Sequence, residues 1–292
     1  MALKGAADTK PTIFKSSQLS KTPWLVHGFS TRNGGVSRVY GGRALNLGFT
    51  KDDSRSAVEQ NRRIFLRQLG ANDSWPLITL RPIHSDLIHN VDAAPENHLT
   101  GDGLITATPG ILLAIQTADC LPLILVDTKQ RVVGVFHAGW RGTLKRIAQK
   151  GIGEMRRLFA TKPEDIKAAI GPGIHSCCYE VGREVHEQFE SQFAYGAELF
   201  REVKESDPVR EKYPLLFLTA RAPGHDELPP RIFLDLVEVN RRQLIDAGVA
   251  AKNITASELC TACRADLLFS YRAEKGVTGR MMGVVGIRGK SR

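Results

Sequence analysis

The sequence has no long apolar run and few cysteines. None of its hydrophobic stretches reaches the length of about 18 residues that a membrane-spanning helix needs, and its beginning lacks the charged, apolar and small segments of a secretory signal. Its 5 cysteines are an odd number scattered along 292 residues, which is not the pattern of a disulfide framework. We therefore expect a protein of the reducing cytoplasm that has no membrane partner.

Motifs for nucleotides and nucleic acids are also missing. The chain contains neither a GxGxxG nor a Walker sequence and no recognisable nucleic-acid module. The formal charge of +9 comes from 40 basic residues interspersed with 31 acidic ones, and aromatics make up only 7%. We interpret the surplus as a basic solvated surface, with a positive cleft for a phosphate-bearing small molecule as the alternative. No nucleic-acid partner is expected.

The apolar content of 42% is sufficient for a full hydrophobic core. Residues 1–12 are small and polar, so we expect a disordered N-terminus followed by a single domain over residues 13–292. Helical and strand patterns alternate irregularly and several glycine pairs predict hairpins. This arrangement favours an α+β fold with mixed β-sheets over a doubly wound parallel fold.

Individual elements follow from local patterns. Residues 53–70 are predicted to form a helix, with Ser56 and Glu59 as a capping box and Gly70 at its end. A second amphipathic helix is predicted directly after Gly142. Residues 267–272 and 281–287 are predicted to be strands near the end of the chain.

Two neighbouring apolar runs carry unusual polar side chains. Residues 111–142 read ILLAIQTADCLPLILVDTKQRVVGVFHAGWRG, which predicts two buried strands joined by a turn. Asp119 and Cys120 lie within the first run, and His137 lies at the end of the second. Because polar groups inside apolar runs cost free energy unless something binds them, these residues are the first candidates for chemistry.

His84 joins them as a candidate because it stands just after a predicted strand that Pro82 interrupts. His84, Cys120 and His137 are too far apart in sequence for a zinc finger but suit a catalytic zinc site with ligands from separate strands. On spacing alone a Cys/His nucleophile pair and ordinary buried residues stay open as alternatives.

Several short blocks resemble the signature of one family. They read HGFSTRNGGVS (27–37), LNLG (45–48), TADCLP (117–122), HAGWRG (137–142), GPG (171–173), YEVG (179–182), FSYR (269–272) and TGR (278–280). In this order they resemble the multicopper polyphenol oxidase (laccase) domain family, which is also described as purine nucleoside phosphorylases related to the human laccase domain-containing protein. The blocks run from about residue 24 to residue 287.

The resemblance implies an α/β/β/α layered domain with a zinc ion held by His84, Cys120 and His137; copper is possible as well. It also implies that the partners are purine nucleosides and phosphate. Adenosine, inosine and methylthioadenosine would undergo phosphorolysis, and adenosine would be deaminated. One departure is Pro82, which stands where the family usually has glutamine. The sequence leaves the oligomeric state open.

Further site residues come from the same blocks. Asp119 is a candidate for proton transfer or for orienting the metal ligand; its alternative is a structural carboxylate bonded to backbone N–H groups. Arg141 and the N-terminus of the helix that follows are predicted to hold phosphate. Candidate substrate-binding residues are Arg32, Asn46, His175 and Arg272. For an Arg or Asn in a glycine-rich turn the alternative is a structural hydrogen bond.

Other functions are compatible with parts of this pattern. A copper polyphenol oxidase needs several coppers, but the sequence offers no second set of clustered histidines. A Cys/His hydrolase acting in the editing of peptidoglycan precursors and a non-enzymatic zinc-binding interaction protein are the remaining alternatives.

Overall fold

The structure is a computed structural model that describes residues 11–204, 212 and 229–289. The chain divides into two compact units, one of Met1–His175 with Leu236–Arg292 and the other of Ser176–Asp235. The single domain over residues 13–292 stays a prediction. The predicted disorder of residues 1–12 concerns a segment that lies, apart from its last two residues, outside the described residues.

The larger unit contains two six-stranded sheets. The strands of sheet 1 are Ile13–Phe14 (β1), Leu25–Ser30 (β2), Leu77–Arg81 (β4), Leu99–Thr100 (β6), Leu112–Thr117 (β8) and Met281–Ile287 (β16), and Asn33–Ser37 (β3) follows β2 outside the sheet. The strands of sheet 2 are Ile88–Asn90 (β5), Gly103–Thr106 (β7), Leu121–Asp127 (β9), Val132–Ala138 (β10), Ile166–Ile170 (β11) and Ile254–Ala256 (β15). The strand orders are β1-β2-β16-β8-β4-β6 and β15-β11-β9-β10-β7-β5.

Helices cover the outer faces of these sheets. They are Arg55–Leu69 (α1), Trp140–Leu144 (α2), Ile147–Phe159 (α3) and Leu236–Asp246 (α5). Short 3₁₀ turns lie at Leu19–Lys21, Pro163–Asp165 and Ala251–Asn253. Strand β10 packs against β8 and β16, so the sheets face each other; α1 contacts β2, and α3 contacts β10 and α5. One apolar cluster fills the space between the sheets and another lies between α1 and sheet 1.

This arrangement confirms the predicted fold class. The layers run α/β/β/α, and both sheets are mixed: β8 pairs with β4 in parallel but with β16 antiparallel. In sheet 2, β11 pairs with β15 in parallel and with β9 antiparallel. No helix among the described residues is long and apolar enough to cross a membrane.

The smaller unit has a sheet of its own. Its elements are Glu180–Val181 (β12), Arg183–Gln192 (α4), a 3₁₀ turn at Gly196–Leu199, Phe200–Val203 (β13) and Arg231–Leu234 (β14). The strands are antiparallel in the order β12-β14-β13. The ring of Phe189 on α4 contacts those of Phe193 and Phe200 and closes a small aromatic core.

The predicted helix boundaries are nearly right, but the predicted capping box is wrong. Helix α1 begins after Ser54, whose hydroxyl accepts a hydrogen bond from the N–H of Ala57 at 3.2 Å. Glu59 instead accepts a hydrogen bond from Arg55. Gly70 ends the helix at φ = 75°, as predicted. The N-cap residue is the one with an extended backbone just before the helix, and here that residue is Ser54, with ψ = 141°, and not Ser56.

Other predicted elements are divided or missing. The first apolar run of residues 111–126 forms two strands in different sheets, because the chain leaves sheet 1 after β8 and enters sheet 2 at β9. The helix after Gly142 is interrupted at Arg146, which has φ = 64°. The strand predicted over residues 267–272 is wrong, since these residues form turns and irregular backbone. The last strand, β16, is confirmed.

Candidate metal centre

Three ligand-type side chains from separate elements meet in the larger unit. His84 follows β4, Cys120 immediately precedes β9, and His137 lies near the end of β10. One ligand atom from each side chain lies within 4.8 Å of those of the other two, and His84 Nε2 is 4.0 Å from Cys120 Sγ. The two imidazole rings meet edge to face at a centroid distance of 5.0 Å. The structure thus brings together all three predicted ligands.

These residues fit a zinc ion. With its usual bond lengths, tetrahedral zinc places neighbouring nitrogen and sulfur ligands about 3.6 Å apart, close to the 4.0 Å between His84 and Cys120. Imidazole and thiolate also suit a borderline-soft ion. No fourth Asp, Glu, His or Cys joins the group within the described part of the chain. A bound zinc would therefore keep one coordination position for water or substrate, as in catalytic zinc sites.

The turn between the two sheets places Cys120. Asp119 has φ = 92°, a conformation that an L-residue adopts only when its surroundings hold it. Its carboxylate accepts hydrogen bonds from the hydroxyls of Thr261 and Ser270 at 2.6 and 2.7 Å and from the N–H of Arg272 at 2.7 Å. These contacts match the structural alternative for Asp119. Proton transfer by this carboxylate stays a prediction.

A glycine allows the ligands to approach each other. A Cβ added at Gly139 would lie 2.9 Å from Cys120 Sγ and 3.1 Å from His84 Cδ2. Gly139 directly precedes α2 and follows β10, the strand that carries His137. Any larger residue at this position would push two of the three ligands apart.

Asp102 supports both histidines and was not identified from the sequence. This fully buried carboxylate accepts a hydrogen bond from His137 Nδ1 at 2.8 Å. It also accepts hydrogen bonds from the N–H of His84 at 3.1 Å and from the N–H and hydroxyl of Ser85 at 2.6 and 2.7 Å. Such carboxylates fix the tautomer and ring orientation of a ligating histidine. His137 is left with Nε2 as its ligand atom.

The conformation of His84 depends on the same carboxylate. His84 has φ = 56°, and its N–H points to Asp102 Oδ1. In the sequence, Asp102 looked like part of an ordinary Gly-Asp-Gly turn. The sequence signal that could have identified Asp102 is the position of that turn directly before an apolar strand. In the structure this strand, β7, pairs with β10 and places Gly103 opposite Phe136, the residue before His137.

Electrostatic interactions within the group favour the charged forms of Asp102, Cys120 and His137. Burial alone would raise the pKa of Asp102, but hydrogen bonds from His137 and Ser85 lower that pKa to about 2, so the carboxylate stays ionised. Burial would likewise raise the pKa of Cys120, yet His137 and His84 lower it below that of a free thiol. Burial opposes the positive charge on His137, but Cys120 and Asp102 raise the pKa of the imidazole. The thiolate form that metals bind is therefore favoured.

Two predicted substrate-binding residues make structural contacts. Arg32 donates to the carbonyls of Ala265 and Tyr40 and pairs with Glu274 at 3.2 Å. Asn46 is fully buried. Its amide donates to Gly48 and Asp53 and accepts from the N–H groups of Gly48 and Arg280. Substrate contacts by Arg32 and Asn46 stay predictions, and the observed bonds are those of the structural alternative.

The other predicted residues lie on different segments. Arg141 is exposed, with its guanidinium 4.4 Å from the centre of the Trp140 ring. It belongs to the five-residue helix α2, whereas the predicted long helix begins only at Ile147. Arg272 is exposed and His175 is half-buried. Roles for these three side chains in phosphate or substrate binding stay predictions.

Comparison with known proteins identifies the family of the chain. A family model described as multi-copper polyphenol oxidoreductase laccase matches residues 26–288. The chain is 39% identical over 262 residues to a purine nucleoside phosphorylase of Deinococcus radiodurans, covering 89% of this chain and 88% of the relative. It is 34% identical to "Adenosine deaminase RL5" of an unknown prokaryotic organism, over 85% of this chain and 88% of that protein.

A solved structure shows the same fold. The crystal structure of the Bacillus licheniformis hypothetical protein YfiH superposes with a TM-score of 0.77 at 32% identity, over 90% of this chain and 93% of that one. The layered fold and the His/Cys/His group define an enzyme with a candidate metal centre. The chain belongs to the multi-copper polyphenol oxidoreductase laccase family.

Proposed function

We propose that the chain is a zinc-dependent purine nucleoside phosphorylase that also deaminates adenosine. The observation that carries the proposal is the convergence of His84, Cys120 and His137, whose ligand atoms lie within 4.8 Å of one another. A tetrahedral ion held by these three would have one position for a reactant. The names of the relatives from Deinococcus radiodurans and from an unknown prokaryote supply the two activities. The proposed nucleosides are adenosine, inosine and S-methyl-5′-thioadenosine.

The proposed reactions need an oxygen nucleophile and a stabilised leaving group. In phosphorolysis, an oxygen of phosphate bonds to C1′ while the C1′–N9 bond breaks, and the base leaves with the electron pair and takes up a proton. In deamination, water adds to C6 of adenine and ammonia leaves. When bound, zinc supplies Lewis acidity that activates an oxygen nucleophile. To hold the zinc ion, the protein must place the two neutral imidazoles of His84 and His137 and the thiolate of Cys120 in a fixed geometry.

The side chains of the site perform that task. Asp102 holds His137 with Nδ1 protonated, so that Nε2 faces Cys120. Asp119 anchors the turn before Cys120 through the segment at Thr261 and Ser270. Asp119 is in addition proposed to take part in proton transfer.

Metal content and product formation test the proposal together. Purified protein is expected to contain close to one zinc per chain and to release adenine or hypoxanthine only when phosphate is present. His84→Ala and Cys120→Ala should lose both properties. His98→Ala is the matched control, because His98 is exposed and lies outside the ligand group. A metal-loaded protein that releases no base in the presence of phosphate would refute the proposal.

The same site also favours one other enzyme class. Cys120 is half-buried beside two histidines that favour its thiolate, an arrangement shared by Cys/His hydrolases. Iodoacetamide separates the two functions, since zinc-bound Cys120 should resist alkylation in the active protein. Rapid alkylation of Cys120 with loss of activity in zinc-loaded protein would favour the hydrolase. A copper oxidase is less favoured, because no further histidine belongs to a ligand cluster in the described residues.

A further inference from the structure

A cavity of about 290 Å³ in the larger unit is lined in part by residues that lie close in sequence to His84 and Cys120. This volume is near the lower end of the range for small-molecule sites, about 300–1,000 Å³. Its lining residues include Lys51, Pro82, Gln116 and Arg280. Pro82 precedes His84 by two residues, which places their Cα atoms within about 7 Å of each other. Gln116 lies on β8, the strand that leads to Cys120.

Arg280 is held in this cavity by hydrogen bonds to the backbone and forms no ion pair with a carboxylate of the described residues. Its Nη1 donates to the carbonyls of Thr278 and Gly279, both at 3.0 Å, and its backbone N–H donates to Asn46 at 2.8 Å. Within the described residues its Nε and Nη2 groups hydrogen-bond no other residue. A partly buried, pre-positioned guanidinium with N–H groups to spare is suited to bind an oxyanion.

Gln116 contributes a neutral amide next to this guanidinium. Strand register places Met282 opposite Gln116, so Arg280 is two residues further along the same face and diagonal to Gln116. On that face the preceding residues Leu112 and Ala114 pack under α1, whereas Gln116 opens into the cavity. Its half-buried amide makes no hydrogen bond among the described residues. An amide in this position can donate to an anion that Arg280 holds.

A glycine brings these two side chains together. A Cβ added at Gly48 would lie 2.6 Å from Arg280 Cγ and 2.7 Å from Gln116 Oε1. The backbone at Gly48 thus lies in close contact with the side chains of both Arg280 and Gln116. Lys51 adds a second positive charge to the wall and Asp52 adds a negative one, both on exposed side chains.

From these observations we propose that the cavity binds inorganic phosphate through Arg280, with Gln116 as a second donor. The inference rests on the proposed phosphorolysis, in which phosphate is the co-substrate. It differs from the position expected from the sequence, where Arg141 and the N-terminus of a long helix held the phosphate. Arg141 is exposed and stacked on Trp140, and its helix has only five residues. Arg280, in contrast, is anchored beside the segments that carry His84 and Cys120.

Phosphate binding to zinc-loaded protein is the direct test, measured by isothermal titration with inorganic phosphate. Arg280→Gln is expected to raise the dissociation constant about 10- to 100-fold, the usual effect of losing charge-assisted hydrogen bonds. Arg280→Lys should bind phosphate more tightly than Arg280→Gln but less tightly than wild type, because lysine keeps the positive charge and lacks the planar set of guanidinium donors. Gly48→Ala should weaken binding about 10-fold by displacing Arg280 and Gln116. Arg156→Gln is the control, since Arg156 is exposed on α3.

The outcomes separate the inference from the proposed function. If phosphate binds and depends on Arg280 but no base is released, the phosphate site stands and the phosphorylase proposal fails. If base release needs phosphate but the KM for phosphate is unchanged in Arg280→Gln and Gly48→Ala, the phosphate site is refuted and the phosphorylase stands. Circular dichroism and zinc content of each variant show whether it is folded. Should Arg280→Gln not fold, the result with Gly48→Ala decides.

Discussion

Asp102 contacts two of the three candidate metal ligands. One fully buried carboxylate accepts hydrogen bonds from the His137 ring and from the backbone of His84. The side chain of one ligand and the backbone of another are therefore fixed by the same group. A carboxylate between two histidines also offsets the positive charge that a bound metal would bring into a buried site.

Replacing Asp102 by Asn keeps the shape of the side chain and removes its charge. One amide N–H₂ must then face N–H donors that the carboxylate accepted, so the orientation of His137 and His84 is loosened. We expect zinc affinity to fall about 10- to 100-fold, as is usual for residues that orient metal ligands. Competition with a chromophoric chelator measures this change. Ser85→Ala removes only one hydroxyl bond to Asp102 and should change zinc affinity less; equal affinities of wild type and Asp102→Asn would contradict the assignment.

His27 is expected to make the stability of the protein sensitive to acid. The side chain is buried in β2, where burial first and the charge of Lys15 second lower its pKa to about 4, against the effect of a hydrogen bond to the Ser16 backbone. Unfolded His27 has a pKa near 6.5, so between pH 6.5 and 4 the unfolded state binds more protons. Stability therefore falls as the pH falls through this window.

The expected size of this effect is about 2 kcal/mol between pH 7 and pH 4.5, from a shift of this magnitude. Urea unfolding of wild type and His27→Leu at the two pH values measures it. The variant should lose less stability on acidification, whatever its stability at pH 7. His98→Leu, at an exposed site, should behave like wild type. An identical pH dependence in wild type and His27→Leu would show that His27 does not contribute.

At the scale of elements, α3 is held against sheet 2 by close packing on Phe136. This ring is fully buried and adjacent to His137. A Cβ at Gly151 would lie 2.6 Å from the Phe136 ring, and Cβ atoms at Gly103 and Gly134 would both lie 2.8 Å from it. Helix α3, β7 and β10 thus fit around one aromatic side chain. The position of His137 depends on this packing through the strand it shares with Phe136.

Two glycines in α3 allow a matched test of this packing. Alanine favours a helix over glycine by about 1 kcal/mol, so propensity alone predicts that either substitution stabilises the protein. At Gly153, where a Cβ would meet nothing within 4 Å, we expect stabilisation of about 0.5–1 kcal/mol. At Gly151 overlap with Phe136 should reverse the sign and destabilise by about 1–3 kcal/mol. Chemical denaturation compares the two variants, and equal stabilisation by both would show that α3 can move away from the sheet at no cost.

Some elements were predictable because their signals are local. Strand β16 is a continuous apolar run, and Gly70 and Gly248 end their helices at positive φ. The turn at Ala118–Cys120 was not predicted, because Gln116, Thr117 and Asp119 interrupt an otherwise apolar run only briefly and no glycine stands at Asp119, the position with positive φ. The turn exists because Thr261 and Ser270, far away in sequence, hold Asp119. Hydrophobic patterns do not report such long-range hydrogen bonds.

In the whole molecule, the residues of the candidate site likewise divide into those with a local sequence signal and those defined by long-range contacts. Cys120 and His137 were candidates because they are polar residues in apolar runs, and His84 because it follows a predicted strand; the family resemblance joined them as ligands. The structure brings their ligand atoms within 4.8 Å of one another. Asp102 and Arg280 were missed, since a carboxylate in a Gly-Asp-Gly turn and an arginine before a strand are common on protein surfaces. Their importance depends on the pairing of β7 with β10 and of β8 with β16.

A metal held by these three residues would link both sheets of the larger unit. His84 follows β4 of sheet 1, His137 belongs to β10 of sheet 2, and Cys120 lies in the connection between the sheets. A ligand that binds only the folded state stabilises it by about 2.7 kcal/mol at 100 times its dissociation constant. With about 2–4 °C per kcal/mol for a protein of this size, zinc should raise the melting temperature by about 5–10 °C. Calorimetry with zinc and with a chelator measures the difference, which should vanish in Cys120→Ala but persist in His98→Ala. A melting temperature that is the same with and without zinc would mean that the three side chains hold no ion, and the proposed chemistry would then have to rest on the thiol of Cys120 alone.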